Sequence, residues 1–228
     1  MNADSETRAE FHSTAFVWQA LQCVVALVAL LLAALPAALT AILVWSSLGR
    51  PLLFRQLRSG LGGRPFTVVK FRTMHEARDA SGQLLPDSAR ETSLTRLIRR
   101  LRLDEIPQLM SILDGNMSFV GPRPLLPTTI AAFGGLGQVR GSVRPGLTGW
   151  AQVNGNTCLT DKEKLALDLW YVDNRSVLLD LRILLLTVSV IVRGERVCDA
   201  SLRTARAHLA ARSGRVAVDT LPVNRHIT

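Results

Sequence analysis

The sequence predicts a mainly helical α+β fold, in which a membrane-associated helix near the N-terminus precedes one small domain. Three observations predict it. Residues 16–45 carry no charged side chain, residues 94–101 repeat apolar side chains at helical spacing, and a strand candidate at 66–74 follows a turn rich in glycine and proline. A chain of 228 residues is long enough for one domain with its own core, but hardly for two.

The N-terminal apolar stretch has the composition of a membrane helix. About 20 apolar residues are enough to cross a bilayer, so length alone favours a spanning helix. Pro36 interrupts the stretch and predicts a break, which also allows a re-entrant helix with both ends on one face. The acidic residues ahead of it argue against a cleaved signal peptide. Basic residues after it predict that the C-terminal side is cytoplasmic: Arg50, Arg55, Arg58, Arg64, Lys70 and Arg72.

The overall charge points to anionic partners. Lys and Arg number 27 against 18 Asp and Glu, a formal balance of +9 that suits lipid headgroups, nucleic acid or phosphorylated substrates. No basic run is interleaved with aromatic residues, which argues against a nucleic-acid platform. The three cysteines and four histidines are scattered, so neither a disulfide framework nor a zinc or histidine metal site is indicated.

The small domain contains two closely spaced groups of charged residues. In an extended strand at 66–74, Lys70 and Arg72 point to one face. The amphipathic helix at 94–101 carries Arg99 on its polar side, and a second helix begins near Asp104, with Pro107 in its first turn. Asp104 then lies at or beside the N-cap, followed by Glu105. Taken singly, these are a solvated strand face and an ordinary helix cap.

Two rigid turns each hold an arginine. The first is Gly121-Pro122-Arg123-Pro124 and the second begins Arg144-Pro145-Gly146, and a guanidinium suits bidentate contact with phosphate. Residues 162–171 look helical. The apolar stretch 177–192 is too short and polar to span a bilayer. The sequence favours neither a position over the core nor a position on a membrane surface. From residue 200 we expect a loosely ordered basic tail, with one helical turn near 202–209.

In their order along the chain, these motifs resemble the bacterial sugar transferase family, also called monotopic phosphoglycosyl transferases, over residues 16–195. Each motif is weak alone, but the ordered set is highly specific. The motifs that carry the resemblance are Lys70-Phe71-Arg72-Thr73-Met74, Leu103-Asp104-Glu105-Ile106-Pro107-Gln108-Leu109, Met117-Ser118-Phe119-Val120-Gly121-Pro122-Arg123-Pro124, Arg144-Pro145-Gly146-Leu147-Thr148-Gly149-Trp150-Ala151-Gln152-Val153-Asn154-Gly155 and Trp170-Tyr171-Val172. Leu35 and Arg102 stand where many members of the family have serine.

The resemblance implies an enzyme that transfers a sugar-1-phosphate from a UDP-sugar to undecaprenyl (polyprenyl) phosphate and releases UMP. This step initiates exopolysaccharide, capsule, O-antigen or glycoconjugate synthesis. Asp104 matches the family nucleophile that forms a covalent aspartyl-phosphosugar, and Glu105 matches its partner, the two carboxylates holding Mg²⁺. The phosphate-binding candidates are Lys70, Arg72, Arg99, Arg123 and Arg144, the turns at the substrate site contain Pro122, Pro124 and Pro145, and the membrane helix breaks at Pro36.

The resemblance also predicts an organisation and a location. We expect a polar segment at 1–15, a re-entrant membrane helix at 16–48, a small catalytic domain at 49–195 and a basic tail at 196–228. The protein is expected at the bacterial inner membrane, its catalytic domain on the cytoplasmic face, with downstream glycosyltransferases as partners. The sequence does not distinguish a monomer from a homodimer. The competing interpretation is a membrane-tethered basic adaptor or scaffold of a polysaccharide assembly complex that performs no catalysis.

Overall fold

A computed structural model describes the backbone of residues 3–219 and the side chains of residues 18–212. The side chains of the predicted polar segment 1–15, and of the tail from residue 213, lie outside the described residues. The helices and strands are α1 (Ala3–Leu32), α2 (Ala34–Leu48), β1 (Leu53–Ser59), β2 (Pro65–Phe71), α3 (Asp87–Arg90), α4 (Ser93–Arg100), α5 (Leu109–Leu113), β3 (Ser118–Val120), α6 (Pro127–Ala132), α7 (Gly135–Arg140), β4 (Gly146–Thr148), α8 (Trp150–Val153), α9 (Asp161–Asn174), α10 (Val177–Arg193) and α11 (Asp199–Asp219), with 3-10 helices at Leu61–Gly63, Leu103–Gln108 and Asn156–Cys158. The prediction of a mainly helical α+β fold is confirmed.

The N-terminal apolar stretch forms two helices that meet at an angle. Between Trp18–Leu32 of α1 and α2 the chain bends by 56°. The break falls at Ala33, one turn before Pro36, because a proline ring collides with the carbonyl four residues earlier, here that of Leu32. In the described part of the chain no single helix meets the length and hydropathy needed to cross a bilayer, whereas this bent pair meets them jointly.

The bent pair rests on the domain with one side and leaves apolar side chains exposed on the other. Ala26 of α1 is fully buried in a cluster with Ile112 and Met117. Val44 of α2 is fully buried with Phe71 and Ile98. On the opposite side the leucines face outward, with Leu32 77% exposed. These contacts fix the pair to the domain that carries the charged motifs.

The strand predicted at 66–74 is β2, which pairs antiparallel with β1 and ends at Phe71. Arg72 therefore lies beyond the strand, and its guanidinium donates to the carbonyls of Leu48 (2.5 Å) and Gly49 (2.9 Å). These are carbonyls at the C-terminus of α2, where a cation is favourable. The backbone pairing continues to Arg72, whose N–H donates to the Leu52 carbonyl at 2.8 Å, but its guanidinium binds α2 and does not join Lys70 as the sequence predicted.

The two arginine turns are joined by a two-stranded parallel sheet. Ser118 of β3 pairs with Gly146 of β4, and Val120 pairs with Thr148. The backbones approach so closely that a Cβ on Gly121 would lie 2.4 Å from the carbonyl oxygen of Arg144. Glycine is required there because no side chain fits between the strands. This contact fixes the first turn, which carries Arg123, against the second.

The C-terminal helices form the largest core. The helix predicted at 162–171 is confirmed as α9, and the apolar stretch at 177–192 is α10. One side of α10 buries Leu179 and Ile183, while Leu185 on the other side is 74% exposed. The expectation of a loosely ordered tail is wrong up to Asp219, since α11 packs on α9 and buries Leu202 and Ala205. The few large apolar residues of α11 include Leu202 and Leu209, and small alanine side chains such as that of Ala205 allow the close packing.

Candidate active site

A charged cavity of about 400 Å³ lies where the 3-10 helix Leu103–Gln108 meets α4, β2, the first arginine turn and the end of α10. Of the predicted site residues, it brings together Lys70, Arg99, Asp104, Glu105 and Arg123. Cations predominate in its lining, since Arg96, Arg100 and Arg102 also contribute. The cavity therefore favours a ligand that carries several negative charges.

The local backbone holds the two carboxylates side by side in a short 3-10 helix. Arg102 is its N-cap, in the left-handed conformation (φ 59°), and Asp104 and Glu105 occupy the first turn. Asp104 is thus the second residue of this helix, two positions after the N-cap, whereas the sequence predicted that it lies at or beside the N-cap. Pro107 is the fifth residue of this helix and lies two positions before α5 begins, not in a first turn as the sequence predicted. Both carboxylates are only 6% exposed.

The two neighbouring carboxylates have opposite electrostatic settings. Burial and the adjacent Glu105 raise the pKa of Asp104 to about 6, against the opposing pull of Lys70, Arg99 and Arg123. Burial also acts to raise the pKa of Glu105, but Arg123 and Arg102 outweigh it and hold that pKa below its usual range. Environments that separate the pKa values of two adjacent acids are typical of sites where the two have different roles.

Glu105 owes its ionised state to two guanidinium groups. Arg123 Nη2 donates to Glu105 Oε1 at 2.8 Å, and Arg102 Nη1 lies 3.5 Å from the same oxygen. Among the described residues, the Asp104 carboxylate accepts no comparable side-chain hydrogen bond. Asp104 is therefore the carboxylate that is left available to a ligand.

Lys70 contributes a cation from the end of β2. Burial, and then Arg123, lower the pKa of its ammonium group. Its Nζ lies 5.4 Å from the centre of the Phe54 ring on the paired strand, a cation–π contact that orients the side chain. An ammonium group that is removed from bulk water interacts more strongly with a phosphate than an exposed one.

The donor set for a divalent metal consists of two consecutive carboxylates. Asp104 and Glu105 provide hard oxygen atoms of the kind that Mg²⁺ prefers, and this ion commonly takes its other ligands from substrate phosphates and water. No third His, Cys, Asp or Glu joins them as a metal-binding group within the part of the chain that the structure describes. The pair fits an ion that binds together with its phosphorylated substrate.

Two of the predicted phosphate-binding arginines lie elsewhere. Arg72 is held at the end of α2, as described above. Arg144 donates through Nε to the carbonyl of Gly115 at 2.9 Å and lines a second cavity, of about 380 Å³, with Trp18 and Tyr171. The sequence grouped both with Lys70 as phosphate-binding candidates, whereas in the structure neither lines the charged cavity and each donates to backbone carbonyls.

The three turn prolines give shape to the site without lining the charged cavity. Pro122 and Pro145 border a small space beneath the two turns, and Pro124 borders another beside Lys70 and Arg123. Arg123 is held by a buried ion pair below it. Arg140 Nη2 donates to the carbonyl of Arg123 at 2.6 Å, and its Nε donates to Asp168 at 2.8 Å.

The sequence reasoning missed one wall of the cavity. Asn156, Thr157 and Glu195 line it together with Arg102. Asn156 and Thr157 follow directly on the motif that ends at Gly155, which was the available signal. Glu195 follows Gly194, the C-cap of α10, and no pattern in the sequence linked it to Asn156, which lies 39 positions earlier.

Comparison with known proteins places these residues in a family context. The sequence profile of the family described as "Bacterial sugar transferase" matches residues 13–194. The chain is 48% identical over 158 residues to the "Uncharacterized sugar transferase EpsL" of Bacillus subtilis (strain 168), covering 69% of this chain and 78% of that protein.

Two functionally named proteins are also similar. A "UDP-glucose:undecaprenyl-phosphate glucose-1-phosphate transferase" of Xanthomonas campestris pv. campestris is 40% identical over 157 residues, covering 64% of this chain and 32% of that protein. A "UDP-N-acetylgalactosamine-undecaprenyl-phosphate N-acetylgalactosaminephosphotransferase" of Aeromonas hydrophila is 37% identical over 163 residues, covering 68% and 38%. The chain thus spans about a third of the length of these two relatives.

Proposed function

The chain belongs to the bacterial sugar transferase family, and from this premise we propose that it transfers a sugar-1-phosphate from a UDP-sugar to undecaprenyl phosphate and releases UMP. The observation that carries the proposal is the pairing of Asp104 with Glu105 in one cationic cavity. Asp104 is buried and has no guanidinium partner among the side chains that the structure describes, whereas Arg123 holds Glu105 ionised. Similar proteins named as transferases of glucose-1-phosphate and N-acetylgalactosamine phosphate support the reaction class.

The first step that we propose is a displacement at the phosphorus bonded to the sugar. A carboxylate oxygen of Asp104 attacks this phosphorus, and the bond to the bridging oxygen breaks. UMP leaves with the bonding electron pair, and the protein retains the phosphosugar as an aspartyl phosphate. Covalent catalysis divides one transfer into two displacements. No proton transfer is needed, because the attacking group is an anion and UMP leaves as a phosphate monoester dianion.

The second step regenerates the carboxylate. A phosphate oxygen of the lipid attacks the same phosphorus, the bond to Asp104 breaks, and undecaprenyl diphosphate sugar forms. One diphosphate linkage is broken and one is made over the two steps, so added UMP reverses the reaction. The carboxylate of Asp104 stands free again at the end of the cycle.

Charge neutralisation is the main task of the surrounding residues. Lys70, Arg99 and Arg123 line the same cavity as Asp104 and would bind the phosphoryl oxygens, where electrostatic stabilisation and positioning provide most of the catalysis of phosphoryl transfer. A divalent ion such as Mg²⁺, held by Asp104 and Glu105, would supply further neutralisation of the diphosphate. Without such groups two anions would repel the attacking carboxylate.

The bent helix pair supports a membrane location for this chemistry. Its exposed leucines, and the exposed apolar side of α10, suit the lipid phase, and a re-entrant α1–α2 would place the charged cavity at the cytoplasmic surface. The phosphate of a polyprenyl lipid would then meet Asp104 while its tail stays in the bilayer. We therefore propose residues 16–48 as the membrane part and 49–195 as the catalytic domain of an inner-membrane enzyme.

The test is release of UMP by the purified protein in detergent. The assay supplies undecaprenyl phosphate, Mg²⁺ and a panel of UDP-sugars. We expect release of UMP that depends on the lipid with at least one donor, and formation of a glycolipid in equal amount. A basic adaptor would release no UMP with any donor, and that result would overturn the proposal.

A further inference from the structure

Two strained backbone positions meet at one carboxylate beside the catalytic pair. Within the described residues, Arg102 (φ 59°) and Asn156 (φ 42°) are the non-glycine residues with positive φ. Both contact Glu195: Asn156 Nδ2 donates to Oε1 at 2.5 Å, and Arg102 Nη2 lies 3.5 Å from the same oxygen. Strain of this kind persists where the surrounding structure holds it, and it concentrates at functional sites.

The Glu195 carboxylate is further fixed by Thr157. The backbone N–H of Thr157 donates to Glu195 Oε2 at 3.1 Å, and the hydroxyl of Thr157 contacts the same oxygen. Burial acts to raise the pKa of Glu195, but the hydrogen bonds from Thr157 and Asn156 prevail and lower it. A preorganised anion therefore forms part of the cavity wall.

This wall differs in chemistry from the rest of the cavity. Lys70, Arg99 and Arg123 favour phosphate, whereas Glu195 repels it. A carboxylate with an amide and a hydroxyl beside it suits the hydroxyl groups of a sugar, because each hydroxyl both donates and accepts a hydrogen bond. We propose that Glu195, Asn156 and Thr157 bind the hydroxyl groups of the transferred sugar and set the choice of donor.

The position of the wall agrees with the geometry of the displacement. In phosphoryl transfer the attacking and leaving oxygens lie roughly in line, so UMP departs on the side opposite Asp104. The sugar is a lateral substituent on the phosphorus. Arg102 connects the wall to the catalytic helix: it is two residues from Asp104 and lies 3.5 Å from both Glu105 and Glu195. The wall thus lies beside the helix that carries the nucleophile, where a lateral substituent on the phosphorus could contact it.

The inference rests on the proposed function, and the test separates the two. Purified Glu195→Gln and Thr157→Val are compared with wild type on UDP-glucose, UDP-galactose and their N-acetylated 2-amino counterparts. Glu76→Gln, an exposed loop position outside the cavity, is the matched control. The readouts are kcat/KM for each donor and the inhibition constant of UMP, which lacks the sugar.

We expect Glu195→Gln to lower kcat/KM for the preferred donor about 10- to 100-fold. The ratio of kcat/KM for that donor to kcat/KM for its 4-epimer should also change at least several-fold, because a site built to bind a hydroxyl discriminates through that bond. The UMP inhibition constant should change by less than about twofold for a contact restricted to the sugar. An unchanged donor ratio in both variants, or an equal loss of UMP affinity, would overturn the inference. Inactivity of the wild type with every donor would instead contradict the proposed function.

Discussion

The guanidinium of Arg123 donates a 2.8 Å hydrogen bond to the carboxylate of Glu105, and Glu105 is the residue that follows Asp104. This contact links a rigid turn to the 3-10 helix that carries Asp104, across 18 positions of sequence. It keeps Glu105 ionised, and Glu105 in turn contributes to the raised pKa of Asp104. One arginine thereby affects both carboxylates.

Replacing Arg123 should impair transfer strongly. Arg123→Ala removes a phosphate-binding cation and the partner of a buried carboxylate, and we expect kcat to fall about 10²- to 10³-fold, as for other donors to developing negative charge. Arg123→Lys should recover only part of this loss, because an ammonium group lacks the planar fork. UMP release is the measurement and Arg64→Lys, at an exposed turn, is the control. Full activity of Arg123→Ala would exclude a role in transfer.

The acid limb of the pH profile should report Asp104. Its pKa of about 6 in the free protein means that protonation removes the nucleophile in mildly acidic solution. We expect kcat/KM for the UDP-sugar to be level above about pH 7 and to fall about tenfold per unit below pH 6, since this parameter reports the free enzyme. Measurement between pH 4.5 and 8 checks it. A profile that stays flat down to pH 4.5 would exclude Asp104 as the titrating nucleophile.

The same raised pKa has a consequence for stability. An acid whose pKa is higher in the folded than in the unfolded protein stabilises the fold below its unfolded value of 3.8, and this contribution is lost as the pH rises through about 6. Asp104→Asn mimics the protonated form. It should therefore increase the free energy of unfolding at pH 7.5 by about 2 to 3 kcal/mol. At pH 4 the gain should nearly vanish, and an equal difference at both pH values in thermal unfolding would contradict this explanation.

The ion pair below the arginine turn should matter for stability. Arg140 and Asp168 are buried, and Arg140 also supports the carbonyl of Arg123. Asp168→Asn leaves a guanidinium without its counter-charge, so we expect a loss of about 3 to 5 kcal/mol in denaturant unfolding. Asp161→Asn disrupts the exposed pair with Lys164 and should change stability by less than about 1 kcal/mol. Equal effects of the two substitutions would show that burial of the pair is unimportant.

The sequence predicts the local elements well where periodicity is strong. The amphipathic pattern at 94–101 corresponds to α4, and the pattern at 162–171 corresponds to α9. Asp104, Glu105, Lys70, Arg99 and Arg123 converge in one cavity, although they come from different elements. Periodicity predicts the local elements but not which of their residues lie close together. The resemblance to a family, which depends on the order of the motifs along the chain, supplied that information.

The remaining features depend on packing between distant segments. Arg72 was assigned by strand alternation, but the strand ends one residue earlier and the carbonyls of α2 attract its guanidinium. Helix α11 has few large apolar residues and is defined by the contact of Leu202 and Leu209 with the core that contains α9. Glu195 reaches the cavity because α10 ends there. Its position depends on the length and direction of that helix, which no local motif predicts.

The covalent role of Asp104 is tested most directly by intact-mass spectrometry of the purified protein mixed with its UDP-sugar donor in the absence of lipid. The account predicts an added mass equal to one phosphosugar, removed on addition of UMP or undecaprenyl phosphate, and absent from Asp104→Asn. Glycolipid formation by the wild type at full rate with no such adduct, or an unchanged adduct on Asp104→Asn, would contradict it.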